Sequence, residues 1–65
     1  MKYTVTDSAG RFLTGHPTIT PLGVHKPSSY HHQDAMRMEK GEAKAIAIQL
    51  GDGWQVYNLE KQEQI

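Results

Sequence analysis

His31 and His32, followed closely by Asp34, are the residues of this chain whose types and spacing come nearest to chemistry, with His16 and His25 upstream. Such nitrogen and oxygen donors could contribute to a zinc or nickel site, which needs three or four ligands converging at about 2 Å. The spacing argues against it. Adjacent histidines usually point apart, and neither H-x-x-x-H nor H-E-x-x-H occurs. The expectation is solvated loop histidines and no metal. A second chemistry would be general acid–base work by His32 with Asp34 or Glu39, because imidazole titrates near neutrality. No nucleophile setting accompanies it: cysteine is absent and there is no G-x-S-x-G elbow. Gly51-Asp52-Gly53 is too short for a phosphate loop and follows a helical pattern instead of preceding one. A chain of 65 residues rarely encloses a substrate pocket. The expectation is a non-enzyme that needs no cofactor.

Two further sets bear on binding. Arg37, Lys40 and Lys44 fall at i, i+3, i+7, the spacing of one helix face, and such a row could lie along phosphates. Glu39 and Glu42 flank it, and an ordinary solvated helix face is the plainer reading. Tyr30, Met36, Met38, Trp54 and Tyr57 form an aromatic and methionine set of the kind enriched at contact cores. Trp54 and Met38 are expected in the core. That leaves Tyr30, His31, His32, Met36 and Tyr57 as the expected partner-binding residues.

The elements that must position these residues are legible in part. Tyr3 and Val5 alternate with Lys2, Thr4 and Thr6, a strand pattern rich in β-branched and aromatic residues. Asp7-Ser8-Ala9-Gly10 suits a type I turn that Gly10 leaves at positive φ, with Arg11-Phe12-Leu13-Thr14 returning as a second strand. Residues 15–32 carry Pro17, Pro21 and Pro27 among glycines and serines and read as one long loop, with short extended pieces at Thr18-Ile19-Thr20 and Leu22-Gly23-Val24. Asp34 is the expected N-cap of a short helical turn carrying Ala35 and Met38. Ala43, Ile46, Ala47 and Leu50 recur at i, i+3, i+4, i+7, which predicts a helix over Glu39 to Leu50 with Gly41 in its first turn and Gly51 after its end. Trp54 and Val56 then alternate as a strand, and the polar tail 60–65 is expected to fray.

The predicted fold is therefore α+β: a single small β-β-α-β domain over 1–65, mostly antiparallel, with one main helix on one face. The predicted core is Tyr3, Val5, Phe12, Met38, Ala43, Ile46, Ala47, Leu50, Trp54 and Val56. Leu13, Tyr57 and Leu59 would project from a bare opposite face, which invites a partner.

Composition narrows the role. Seven Lys and Arg balance seven Asp and Glu, which lowers the expectation of sequence-independent nucleic-acid binding. So short a chain buries only about 60% of its unfolded surface. Without cysteine no disulfide supplements that core, so homodimerisation is a live expectation. No apolar leader or membrane-length run is present, and a cytoplasmic location is the simplest reading.

Tyr3-Thr4-Val5-Thr6-Asp7 with Gly10-Arg11-Phe12-Leu13 resembles the opening hairpin of many very short phage- and prophage-encoded proteins. Asp34-Ala35, Glu42-Ala43 and Leu50-Gly51-x-Gly53-Trp54-x-Val56-Tyr57-x-Leu59 are similar to their helix and last strand. The likeness spans about two-thirds of the chain and omits the proline region. Met38 stands where that type often has an aromatic, and a tryptophan often near Tyr30 and His31 is missing. The resemblance implies a non-enzymatic accessory protein that binds and blocks a host macromolecule, including defence complexes such as CRISPR effectors, in the host cytoplasm. The alternatives are a nucleic-acid-associated module using the basic row, or a dimeric accessory protein.

Overall fold

The computed structural model describes residues 1–51 and 53–65. Asp52, the middle of the expected Gly51-Asp52-Gly53 break, lies outside the described residues. Among the described residues, seven short strands and one α-helix follow in order: β1 (Tyr3–Thr6), β2 (Phe12–Leu13), β3 (Thr18–Thr20), β4 (Gly23–His25), β5 (Ser28–Ser29), a 3₁₀ turn (His32–Asp34), α1 (Lys40–Leu50), β6 (Gln55–Asn58) and β7 (Glu63–Gln64). Five strands make an antiparallel sheet in the order β5-β2-β1-β6-β7, while among the described residues β3 and β4 pair only with each other. The domain is a small α+β fold with one main helix, as the sequence predicts.

The opening hairpin closes through Asp7. Its backbone carbonyl accepts from Gly10 N–H at 3.2 Å, and its N–H donates to the Arg11 carbonyl at 3.0 Å. Gly10 takes φ +89°, which releases the chain into β2. The Asp7 carboxylate accepts from the backbone of Ala9 and Arg11 through Oδ1, and from Arg11 Nε at 2.8 Å through Oδ2.

The helix forms where the periodicity places it. Ala43, Ile46 and Ala47 are buried and Leu50 is half-buried, all toward β1 and β6. It starts at Lys40, with Glu39 at the N-cap, and stops at Gly51, whose N–H donates to the Ala47 carbonyl at 3.1 Å. Val5, Leu13, Met38 and Val56 complete the core, with Tyr3, Met36, Leu50 and Trp54 packed against it. Each fully buried aliphatic side chain contributes about 1.5–3 kcal/mol.

Several expectations need correction. Leu13 is not on the outer face; it is fully buried with the helix, and its neighbour Phe12 points outward. Thr6 pairs with Phe12, so Phe12 shares the face of Thr4 and Thr6, and the next residue must take the other. A strand of two residues carries no alternation from which that phase can be read. Nor is the outer face bare: Thr4 and Thr6 are buried there, and Leu59 is buried beyond the end of β6, its N–H bonded to the Lys2 carbonyl at 2.7 Å.

Within residues 15–32 the short extended pieces expected at 18–20 and 22–24 form β3 and β4, and what the loop reading left out is their pairing. β2 pairs with β5, and β3 with β4 beyond them, so 12–29 is one long hairpin broken at Pro17 and Pro27. The break is a bulge: three residues, 15–17, face the single residue Lys26 between the pairings. The Pro27 carbonyl still accepts from Thr14 N–H at 2.9 Å, so proline interrupts the ladder without ending the hairpin.

The expected helical turn over Asp34 to Met38 does not form. Asp34 ends the 3₁₀ turn instead of capping a helix, and residues 36–38 run extended across the end of the sheet. Met36 N–H donates to the Leu13 carbonyl at 2.8 Å, and Met38 exchanges both backbone bonds with Tyr3. Those bonds and the burial of Met38 outweigh a one-turn helix, which is costly to nucleate.

The polar tail is partly ordered as well. Glu63 and Gln64 pair with β6, and Ile65 N–H donates to the Val56 carbonyl at 3.0 Å. Asn58 makes the preceding turn, its Oδ1 accepting from Glu60 and Lys61 N–H at 3.0 Å each.

Candidate functional site

The expected partner-binding residues do not converge. Tyr30 is 68% exposed just after β5, and His31 and His32 are exposed beside it in the 3₁₀ turn. Ser29 organises this corner: its hydroxyl donates to Asp34 Oδ2 and accepts from His31 N–H, both at 3.2 Å. Met36 follows but turns inward against the core. Tyr57 lies on β6, on the outer sheet face, with its ring against Phe12. Tyr30, His31 and His32 therefore form one exposed corner, while Met36 and Tyr57 serve packing.

The basic row is also divided. Arg37 precedes the Glu39 N-cap in extended chain, so only Lys40 and Lys44 share the helix surface. Both are exposed. Among the described residues no group of three or more His, Cys, Asp or Glu side chains is placed to hold a metal ion. No helix among them is long and apolar enough to cross a membrane.

Sequence reasoning placed extended pieces at 18–20 and 22–24 but missed that they pair into an arm, β3 with β4. Thr20-Pro21-Leu22-Gly23 makes its tip: Thr20 Oγ1 donates to the Gly23 carbonyl at 2.7 Å and accepts from Leu22 N–H at 3.3 Å. Proline at the second turn position presets φ. The arm packs chiefly against itself. Ile19 is 80% exposed, Leu22 100% and Val24 50%. Ile19 and Val24 are cross-strand partners and so share one face, which with Pro17 and Leu50 lines a cleft of about 230 Å³ edged by Lys26 and Gln49. Lys26 Nζ sits 6.0 Å from the centroid of the Trp54 ring, at the reach of a cation–π contact. The signal for the arm was present in the alternation Thr18-Ile19-Thr20 around a Pro-Leu-Gly tip.

A second groove of about 260 Å³ runs between α1 and the end of β6, lined by Lys44, Ala47, Ile48, Gln55, Val56 and Ile65. It is open and apolar and carries no titratable pair. No family model matches the chain, and no curated protein or solved structure matches it significantly.

Proposed function

We propose that this chain is a small non-enzymatic binding protein that occludes a macromolecular partner, with the β3–β4 arm as its leading contact. The observation that carries this reading is the exposure of Ile19, Leu22 and Val24 together on one projecting hairpin. Water-exposed aliphatic side chains gathered on an arm mark interaction sites more often than chance surface. The exposed corner of Tyr30, His31 and His32 lies past β5, at the opposite end of the long hairpin from the arm's tip, and is a second exposed surface. A partner interface buries about 800 Å² on each side, which a chain this small supplies only by committing much of one side. A phage or prophage origin, a host defence complex as target and a host cytoplasmic location rest on the resemblance of the opening hairpin, helix and last strand.

The test is a pull-down from bacterial lysate, with and without nuclease, read by mass spectrometry. The wild-type chain is compared with Ile19→Ser/Leu22→Ser and with Tyr30→Ala. Capture of a stoichiometric protein that survives nuclease and is lost with the arm variant supports occlusion through the arm. Capture that the arm variant retains, or that vanishes with nuclease, overturns it.

A further inference from the structure

The arm has a one-sided charge. All seven carboxylates of the chain lie outside residues 12–33, whereas that stretch holds Lys26 and all four histidines. A chain balanced overall thus presents a long hairpin that is neutral to positive throughout. The arm is also structurally incomplete. A two-stranded ribbon is marginal in water by itself, and a third strand or a packed face stabilises it. β3 and β4 each keep one edge outside any ladder among the described residues. Pro17 and Pro27 confine the available edge to the three residues of each strand. Finally, the apolar cleft of Pro17, Ile19, Val24 and Leu50 lies on the face of the arm that Ile19 and Val24 share, with Lys26 at its rim.

We infer that the arm takes an extended acidic segment of a partner protein as a third strand. An aliphatic side chain of that segment enters the cleft, and its carboxylates face Lys26, His25 and His16. The inference rests on the binding reading above and names the chemistry of its partner. Backbone pairing supplies affinity in such strand addition, and the pocket and charges supply selection. Charge complementarity decides against the other occupants. A second copy of the arm would bring like charge to like. A nucleic-acid strand needs several fixed cations to release its counterions, and Lys26 is the single Lys or Arg within 12–33.

The experiment is selection from a random peptide display library on the full-length chain at low salt. The selected consensus peptide is then synthesised and measured by fluorescence anisotropy. The expected consensus places Asp or Glu on both sides of an aliphatic residue. Lys26→Glu should weaken the acidic peptide about tenfold, and Ile19→Ser/Val24→Ser should abolish its binding. Because these positions are exposed, amide spectra outside the arm serve as the check that both variants fold. In the wild type the peptide should shift the amides of 18–20, 23–25 and Leu50. A basic or uncharged consensus, no enrichment at all, shifts confined to other elements, or tighter binding of oligo(dT) than of any peptide overturns the inference. If the pull-down still yields an arm-dependent protein in those cases, the partner's chemistry is wrong while occlusion stands. If the arm variants capture what the wild type captures, the arm is not the surface and both fall.

Discussion

Phe12 and Tyr57 meet edge to face across the top of β1, ring centroids 5.1 Å apart and planes at 73°. They come from β2 and β6, the two strands that flank β1. Strands two places apart lie about 9.6 Å from each other. Both rings must therefore lean inward to touch, and Thr4 and Thr6 lie beneath them, almost wholly buried. The sheet is closed on its outer face by this pair and on its inner face by the helix. Loss of either ring should cost about 2 kcal/mol, less than a fully buried aromatic because both are only partly buried. A double-mutant cycle on Phe12→Leu and Tyr57→Leu, read by urea unfolding, should return a coupling of about 1 kcal/mol.

Beneath that pair, the Thr4 hydroxyl is buried without a hydrogen-bond partner among the described residues. An unpaired buried hydroxyl is a cost that an isosteric methyl avoids. Thr4→Val should therefore stabilise by about 1 kcal/mol, since valine also suits a central strand. Thermal unfolding should show a Tm higher by roughly 4–8 °C for a domain of this size. An unchanged or lower Tm would show that the hydroxyl finds a partner in solution.

Asp7 makes the first turn depend on pH. Burial raises its pKa, but hydrogen bonds from the Arg11 backbone and guanidinium, the Arg11 charge and the Ala9 N–H together outweigh that and hold it below the ordinary carboxylate value. A folded pKa below the unfolded one means stability that is complete above the unfolded value and lost as pH falls through the folded value. Wild type should exceed Asp7→Asn in urea midpoint at pH 7, and the gap should close below about pH 4. A gap independent of pH would assign the effect to turn geometry alone.

Gly51 ends the helix at φ +86°, ψ −145°, a region that glycine alone enters cheaply. Among the described residues beyond its chain neighbours, a Cβ there would meet no atom within 4 Å, so the penalty of Gly51→Ala is conformational and not steric. The cost should be about 1–3 kcal/mol. Replacement of the exposed Gly41 by Ala, inside the helix, should stabilise by up to about 1 kcal/mol. Both are read from thermal unfolding, and equal signs for the two would contradict the assignment of the helix end.

β7 protects the edge of β6. Ile65→Pro removes the backbone donor to the Val56 carbonyl, loosens β7 and should speed amide exchange in β6, above all at Asn58, whose N–H faces Glu63 across the ladder. Exposure of that edge should also raise self-association, measured by sedimentation at several concentrations. Unchanged exchange at Asn58 would show that β7 contributes little in solution.

The local patterns of the chain determined β1, the Asp7–Gly10 turn, α1 and its buried face, the glycine stop at Gly51 and the burial of Val56. Each is written within one strand or a few turns, as a period of 2 or 3.6 or as a residue that must take positive φ. The tertiary structure decided the rest. Which of Phe12 and Leu13 points inward depends on pairing with Thr6, a register that two residues cannot encode. Met38 became a core residue in extended chain because Tyr3, 35 positions away, supplies its backbone partners. The prolines at 17 and 27 read as breaks, yet the hairpin continues past both, because pairing across Thr14 and Pro27 and between β3 and β4 outweighs two missing donors. Tyr57 and Tyr30 look alike in sequence, but one closes the sheet and the other stands in solvent. Local periodicity records how a segment buries itself; which segments meet is fixed only when long-range pairing selects one register and one face.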